Sequence, residues 1–205
     1  MTRTTKKAAA KLNTAIAGAV KRFAPPESLT VDEWADKHRR LSPESSAEAG
    51  PWRTKRTPYL EEPMRAFTDP KVHKIVMVAA SQVGKSELEL NIIGYIIDQD
   101  PGSILHDPPP IDDARTVSRL RVAPIIRGSK PPKAKVHDVK AKDSGNTILQ
   151  KSFPGGMLTL TGSNSASALA STPARYIIGD ERDRWAISAG TEGDPWALAE
   201  ARQAT

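Results

Sequence analysis

The chain has 205 residues, contains no cysteine and carries a formal net charge of +6. This length allows one substantial hydrophobic core and a tail. The lack of cysteine excludes disulfide bonds and thiolate metal sites, which suits a cytoplasmic protein. No apolar run approaches the roughly 18 residues that cross a bilayer, and no segment resembles a secretory signal, so we expect no membrane association.

The positive charge is concentrated at the N-terminus. Residues 1–24 hold six basic side chains and no acidic one, and the rest of the chain is therefore formally neutral. A basic, alanine-rich segment suits contact with nucleic acid or with an acidic partner. A solvated, frayed terminus would have the same composition. We accordingly divide the chain into a basic N-terminal arm, residues 1–27, and a folded domain, residues 28–205.

Helix signals dominate the first part of the chain. Residues 8–23 have amphipathic spacing, and the two prolines that follow would end such a helix. Thr30 and Glu33 form a capping box, which predicts a further helix start. Residues 42–58 are rich in serine, proline and glycine and predict an irregular connector. Residues 59–68 again have apolar side chains at helical spacing.

A strand, a tight loop and a helix are predicted next. The apolar run at 75–78 predicts a strand over 74–79, and apolar residues at helical spacing predict a helix over 86–98. Between the two lies the sequence Ala-Ala-Ser-Gln-Val-Gly-Lys-Ser. Apart from alanine at its first position, this is the pattern of a phosphate-binding loop. In such a loop, successive backbone N–H groups and the positive end of the helix surround the phosphates.

This loop supplies most of the candidate nucleotide-binding residues. Lys85 would reach the β- and γ-phosphates, and the hydroxyl of Ser86 would bind Mg²⁺. Because short motifs also occur by chance, the loop alone leaves the assignment open. The candidate residues are Ala79, Ala80, Ser81, Gln82, Val83, Gly84, Lys85 and Ser86.

Strands and helices alternate in the second half of the chain. Residues 103–106 predict a short strand and residues 111–126 a helix, and residues 128–146 predict a flexible crossing. The runs at 147–150 and 157–161 flank a proline-glycine turn and predict a hairpin. This order indicates an α/β fold with a mostly parallel sheet and helices on both faces.

The second half of the candidate site follows another predicted strand. Residues 175–179 have the character of a short buried strand, and the strand ends at Asp180 and Glu181. Asp180 would hold Mg²⁺, and Glu181 would act on the attacking water as general base. An isolated acidic pair is more often a solvated strand end. Combined with Lys85 and Ser86, the pair favours a nucleotide site at the carboxyl edge of the sheet.

Several of these segments, in this order, resemble the large terminase subunit of tailed bacteriophages, lambda-like GpA type. The resemblance begins near residue 28 and continues to the last residue. Its motifs are Thr57-Pro58-Tyr59, Ser81-Gln82-Val83-Gly84-Lys85-Ser86-Glu87, Phe153-Pro154-Gly155-Gly156, Gly162-Ser163-Asn164-Ser165, Asp180-Glu181-Arg182-Asp183-Arg184 and Gly193-Asp194-Pro195.

The resemblance implies a virus-encoded motor that uses ATP and Mg²⁺ to drive double-stranded DNA into an empty capsid. It implies a P-loop ATPase fold of the terminase and helicase type, with residues 79–86 on the nucleotide, Asp180 on the metal and Glu181 on the water. It also places Tyr59 in an adenine-contacting segment, although Leu60 stands where the family has a glutamine.

Many large terminases carry an arginine where this chain has Ser81. A transition-state arginine would therefore come from Arg175, Arg182 or a neighbouring subunit. The partners implied by the resemblance are double-stranded DNA, the small terminase subunit, the capsid portal and further copies of the chain, in the host cytoplasm.

The resemblance also bears on the C-terminal end. Members of the family continue into a further strand, a coupling motif and a nuclease domain. We therefore interpret the chain as the N-terminal part of the motor, shortened for example in a decaying prophage, with an incomplete sheet and no nuclease activity. Two alternatives stay open at this point. One is a different P-loop enzyme, such as a helicase or kinase, and the other is a non-catalytic fragment that only binds DNA or terminase partners.

Overall fold

The computed structural model describes residues 27–44, 46, 48–107, 111–137, 146–162, 165, 169 and 172–203, without the side chains of 111–113. The predicted helix at 8–23 and the basic arm up to residue 26 lie outside these residues. Among the described residues, no helix is long and apolar enough to cross a membrane.

The N-terminal part of the domain is helical, as predicted. The capping box forms, because the Thr30 N–H donates to Glu33 Oε2 at 2.9 Å. Residues 42–58 were predicted to be an irregular connector, but part of this region is regular, because the strand at 50–51 pairs antiparallel with the strand at 40–41. The elements are α1 (Val31–His38), β1 (Arg40–Leu41), β2 (Gly50–Pro51), the 3₁₀ turns Thr54–Arg56 and Pro58–Leu60, and α2 (Glu61–Thr68).

Helix α3 (Lys85–Asp98) runs through the middle of the core and confirms the helix predicted at 86–98. Its apolar side chains Leu88, Ile93 and Ile96 are buried. Gly94 allows α1 to approach closely, because a Cβ at this position would lie 2.7 Å from Trp34 Cζ3.

The main sheet has four strands and is mostly parallel, as predicted. The strand order is β4-β5-β3-β6, in which β3 is parallel to both neighbours and β4 pairs antiparallel with β5. Gly155, with φ +88, occupies the turn of the β4–β5 hairpin. The strands are β3 (Ile104–Asp107), β4 (Gln150–Phe153), β5 (Gly156–Leu160) and β6 (Tyr176–Gly179).

Both faces of β3 are buried, as expected for a central parallel strand. Ile104 belongs to a large cluster with side chains of α1 and α3. Leu105 points to the other face and belongs to a smaller cluster that includes Ala199. Ala199 lies on α7 (Pro195–Glu200), the last helix described.

The helix predicted at 111–126 forms with one irregular turn. It consists of α4 (Ile111–Val117), a π-helical turn (Ser118–Val122) and α5 (Ala123–Gly128). The predicted flexible crossing at 128–146 begins instead with α6 (Lys130–Lys135). Two prolines at the start of α6 explain why it forms, since the first turn of a helix needs no N–H donors.

The strand predicted at 74–79 is wrong. Residues 72–80 carry no strand pairing. Val76 is 76% exposed and Val78 is 95% exposed. An apolar run becomes a strand only where another strand accepts its backbone hydrogen bonds, and none of the described strands pairs with this segment. It is nevertheless attached to the sheet layer, because Lys74 forms an ion pair with Glu200 of α7 at 2.6 Å.

Candidate functional site

The loop before α3 has the backbone conformation of a tight turn. Gly84 is the N-cap of α3 in the left-handed region, with φ 86 and ψ 18, and Gln82 also has a positive φ of 59. Lys85 Nζ donates to the carbonyl oxygen of Ala79 at 3.4 Å, so the lysine closes over the loop that precedes it. The backbone bonds of α3 begin with Glu87 and Leu88, whose N–H groups donate to the Gly84 carbonyl oxygen. The N–H groups of Lys85 and Ser86 precede them at the end of the helix where an anion is favoured.

Two predicted site residues from distant parts of the sequence come together here. Ser86 Oγ lies 3.4 Å from Asp180 Oδ2, across a sequence separation of 94 residues. Asp180 is held from two sides. Its N–H donates to the carbonyl oxygen of Asp107 at 3.2 Å, and Trp185 Nε1 donates to its carbonyl oxygen at 2.8 Å. The carboxyl end of β6 thus faces the start of α3.

This pair of oxygens fits a magnesium ion. Neighbouring ligands of an octahedral Mg²⁺ at about 2.1 Å are roughly 3 Å apart, close to the separation of Ser86 Oγ and Asp180 Oδ2. No group of three histidine or acidic side chains that could hold a metal occurs among the described residues. Mg²⁺ suits such a sparse donor set because it keeps several waters and takes phosphate oxygens as further ligands.

Glu181 adopts an unusual backbone conformation. Its φ of 45 and ψ of 49 lie in the left-handed region, which is uncommon for a residue with a side chain. Its carboxylate Oε2 accepts from Arg184 Nη1 at 2.5 Å. Glu181 therefore follows Asp180 directly but is engaged with a neighbour three residues further on.

The two candidate arginines differ in position. Arg175 forms two hydrogen bonds with Asp100, at 2.8 and 2.9 Å, at the opposite end of β6. Five residues of extended chain separate it from Asp180, or roughly 16 Å, so it is remote from Ser86. Arg182 is nearer, but its guanidinium pairs with Asp194 at 2.6 Å.

Tyr59 lies in the turn Pro58–Leu60 and is 55% exposed. The next residue, Leu60, is fully buried. A Cβ at Gly84 would lie 3.4 Å from Leu60 Cδ1, so this turn packs directly against the loop. The exposed aromatic ring thus belongs to a segment that adjoins the candidate phosphate site.

A buried polar layer beneath the site was not anticipated. His106 Nε2 lies 3.2 Å from Glu89 Oε2, and Asp107 is fully buried, with no described partner for either carboxylate oxygen. Burial raises the pKa of Asp107 to about 8, against the opposing charge of Arg182. Burial also raises the pKa of Glu89, although His106 acts in the opposite direction. The available signal was that Asp107 directly follows the strand predicted at 103–106, as Asp180 follows the strand predicted at 175–179.

A second unanticipated contact links α3 to the segment after α1. The guanidinium of Arg39 is almost completely buried and donates to Glu87 Oε2 at 2.8 Å. Glu87 lies in the first turn of α3, two residues after Lys85. The pair therefore ties the N-terminal helices to the end of α3 that carries the candidate site.

Comparison with known families defines the class of protein. Over residues 46–205 the sequence matches the family described as "Phage terminase large subunit gpA, ATPase domain". The chain belongs to this phage terminase family, and the resemblance noted from its motifs is confirmed.

Two curated relatives give the scale of the similarity. The chain is 29% identical to the large terminase subunit of Escherichia phage lambda over 131 residues, which is 64% of this chain and 20% of that protein. It is 25% identical to the large terminase subunit of Enterobacteria phage P21 over 178 residues, which is 86% of this chain and 27% of that protein. The matches thus span about a quarter or less of the relatives' length. No solved structure matches the chain.

Proposed function

We propose that this chain is the ATP-hydrolysing motor part of a phage terminase large subunit, which packages double-stranded DNA into the capsid. The observation that carries the proposal is the approach of Ser86 Oγ to Asp180 Oδ2, at 3.4 Å, at the start of α3. Membership of the terminase family supports ATP as the nucleotide. It does not favour the helicase or kinase alternatives.

In this proposal the loop and the start of α3 bind the triphosphate. Backbone N–H groups of residues 80–86 surround the phosphates, which the positive end of α3 favours. Lys85 exchanges its contact with the Ala79 carbonyl oxygen for the β- and γ-phosphates. Ser86 and Asp180 hold Mg²⁺, which supplies charge neutralisation at the γ-phosphate when bound.

Glu181 is the proposed general base. Its carboxylate leaves Arg184, accepts a proton from a water molecule and directs the resulting nucleophile at the γ-phosphorus. The bond between that phosphorus and the β,γ-bridging oxygen breaks, so the products are ADP and inorganic phosphate. Arg182 is the remaining candidate of this chain for stabilising the transferred group, and it would have to exchange its contact with Asp194.

The remaining roles rest on the same proposal. Tyr59 contacts the adenine, since its turn packs against the loop. Residues 28–205 form the ATPase domain and residues 1–27 a basic arm. The partners are double-stranded DNA, the small terminase subunit, the capsid portal and further copies of the chain, and the location is the host cytoplasm.

Replacement of the loop lysine tests this function. In the full chain, Lys85→Ala is expected to abolish ATP hydrolysis with the fold intact, because Lys85 acts on charge that develops in the transition state. Lys71→Ala is the matched control, since Lys71 is an exposed lysine outside the site. Phosphate release and circular dichroism are measured on both variants. Turnover that persists in folded Lys85→Ala would exclude the assignment of the loop, and absence of turnover in the unaltered chain would support the non-catalytic alternative.

A further inference from the structure

Positive charge is also segregated within the folded part of the chain. Residues 114–137 contain seven basic and no acidic residues. Outside this segment and the N-terminal arm, acidic residues outnumber basic ones by twenty-three to seventeen. The formal net charge of the domain is therefore close to zero although this one segment is strongly basic. Its members are Arg115, Arg119, Arg121, Arg127, Lys130, Lys133 and Lys135.

The core holds this segment in a fixed position. It runs from α4 through the π-helical turn and α5 into α6. One side of it is buried through Ala114, Val122 and Ile125, and the basic side chains except the half-buried Lys135 point to solvent. Arg115 and Arg119 are four residues apart, and side chains at that spacing are neighbours on a helix surface. We call this exposed side the α4–α6 basic face.

At least three of these cations have no ion pair among the described residues. Arg127 pairs with Glu44 at 2.9 Å, and Lys135 pairs with Asp98 at 2.9 Å. Within the described part of the chain, Arg119, Lys130 and Lys133 are exposed and have no ion pair. The basic face therefore presents cations that a polyanion can contact without breaking an existing pair.

One residue of the basic face and one residue of the candidate nucleotide site influence the same buried carboxyl group. Glu89, beneath that site, has its pKa raised chiefly by burial. The charge of Asp180 adds to this effect and the charge of Arg121 opposes it. Arg121 on the π-helical turn and Asp180 at the end of β6 thus act on the same buried carboxyl group.

We propose that the α4–α6 basic face binds the phosphate backbone of double-stranded DNA. The identity of this polyanion rests on the proposed packaging function. The helical rise from Arg115 to Arg127 is about 18 Å, a length over which a duplex presents on the order of ten phosphates. Arginine and lysine side chains that contact phosphates carry no sequence information, which suits a protein that acts on DNA of any sequence.

The test compares two triple variants of the full chain that lose the same charge. The first is Arg119→Ala, Lys130→Ala and Lys133→Ala on the basic face. The second is Lys55→Ala, Lys71→Ala and Arg202→Ala, three exposed cations elsewhere. A third variant replaces the six basic residues of the arm by glutamine. Binding of a fluorescent 30-base-pair duplex is measured by anisotropy over a range of salt, beside ATP hydrolysis without DNA and circular dichroism.

The basic-face variant is expected to bind the duplex about tenfold or more weakly, and its slope of log affinity against log salt is expected to fall by about 2–3. The control triple variant should change the affinity by less than about twofold, because its cations make no phosphate contact. Equal losses in both triple variants would overturn the proposal. So would a loss confined to the arm variant, or displacement of the duplex by polyglutamate as effectively as by unlabelled DNA.

The ATP measurement separates this proposal from the proposed function. A chain that hydrolyses ATP but does not bind the duplex overturns the basic face alone. A chain without ATP turnover whose duplex binding depends on Arg119, Lys130 and Lys133 supports the basic face and contradicts the ATPase assignment.

Discussion

Glu181, the proposed general base, has a strained backbone. Its left-handed conformation, of a kind that costs on the order of 1 kcal/mol or more, turns the chain sharply after Asp180. In a regular strand, two consecutive carboxylates project to opposite sides, and the left-handed residue ends that alternation directly after Asp180. In the proposed mechanism, Asp180 contacts the metal and Glu181 approaches the water.

Glu181→Gln is expected to preserve ATP binding and to slow hydrolysis by about 10²–10⁴-fold, since the amide cannot take the proton. Binding of a fluorescent nucleotide and single-turnover hydrolysis are measured separately. Asp183→Asn is the control, because Asp183 is an exposed acid two residues away. If binding weakens as much as turnover falls, Glu181 has a structural role instead.

How much of the site could be predicted from the sequence depends on whether a residue's position is set by a local motif or by packing across the core. Lys85, Ser86 and Asp180 could be predicted because a loop motif and a strand end each indicate where a side chain must lie, and the sheet then brings the two together. The pairing of Glu89 with His106 and the burial of Asp107 could not be predicted. They depend on which side of α3 faces β3, and that is decided by packing across the core.

Among the helices, α3 shows how the lack of a side chain at one residue determines how closely another helix can pack against it. Gly94 lies in the helix interior, where alanine would be favoured by about 1 kcal/mol from propensity alone. The ring of the fully buried Trp34 occupies the space that a Cβ would need. The close contact of α1 with α3 therefore requires glycine at this position.

Gly94→Ala is expected to destabilise the protein by about 1–3 kcal/mol despite its better helix propensity, because overpacking forces α1 away from α3. Gly128→Ala is the matched control. There a Cβ would make only ordinary contacts with Arg40, at 3.5 Å from its carbonyl oxygen and 3.9 Å from its Cβ. The free energy of unfolding is measured in urea. A stabilised Gly94→Ala variant would show that the helices adjust at no cost.

Asp98 at the end of α3 joins three helices. It accepts from Trp34 Nε1 of α1 and from Lys135 Nζ of α6, each at 2.9 Å. Burial alone would raise its pKa, but hydrogen bonds from Gln99, Lys135 and Trp34 outweigh burial, so the pKa lies below the ordinary value. The ionised form therefore stabilises the folded state above the unfolded pKa, and this contribution is lost as the pH falls through the folded pKa.

Asp98→Asn is accordingly expected to lower the free energy of unfolding at pH 7 by about 1–3 kcal/mol. The difference from the unaltered protein should shrink below about pH 4, where the unfolded aspartate takes up its proton. Urea unfolding at both pH values measures the effect, with the exposed Glu192→Gln as control. A loss of equal size at both pH values would attribute the change to packing and not to charge.

Strand and helix prediction succeeded where local pattern and packing agree. The helix at 86–98 has both the spacing and a buried face, whereas the apolar run 75–78 has the composition of a strand without a neighbouring strand. The run at 75–78 is exposed because no described strand pairs with it, and its own composition does not reveal this. The helix α6 was missed because proline is read as a helix breaker, although the first turn tolerates it.

At the scale of the whole molecule, the described residues bring together one candidate chemical site, formed by the loop before α3 and Asp180. The described residues contain no cluster of acids able to hold two metals about 4 Å apart, the arrangement that two-metal nucleases use. The densest remaining acids of the sequence are Asp98, Asp100, Asp107, Asp112 and Asp113. The side chains of Asp112 and Asp113 lie outside the described part. At a helix start, the helix dipole is sufficient to favour acidic residues, so these acids need no catalytic role.

The chain is therefore expected to leave supercoiled plasmid uncut in Mg²⁺ or Mn²⁺. Gel electrophoresis after prolonged incubation measures nicking, and a chain with Asp112→Asn and Asp113→Asn serves as the comparison. Metal-dependent nicking that disappears in this variant would identify a second active site and contradict the assignment of these acids to a structural role.

The position of β3 between β5 and β6 has a consequence for the order in which the protein folds during its synthesis. β6 begins about seventy residues after β3 ends, and at roughly 5–20 residues per second a ribosome needs several seconds to make that stretch. Contacts of high sequence separation also form slowly, because a long loop must close first. Helix α3 and its neighbours can assemble earlier from local contacts. Asp180 reaches Ser86 only after β6 has been synthesised and has paired with β3. The N-terminal end of α3 is therefore synthesised well before the carboxylate that faces it.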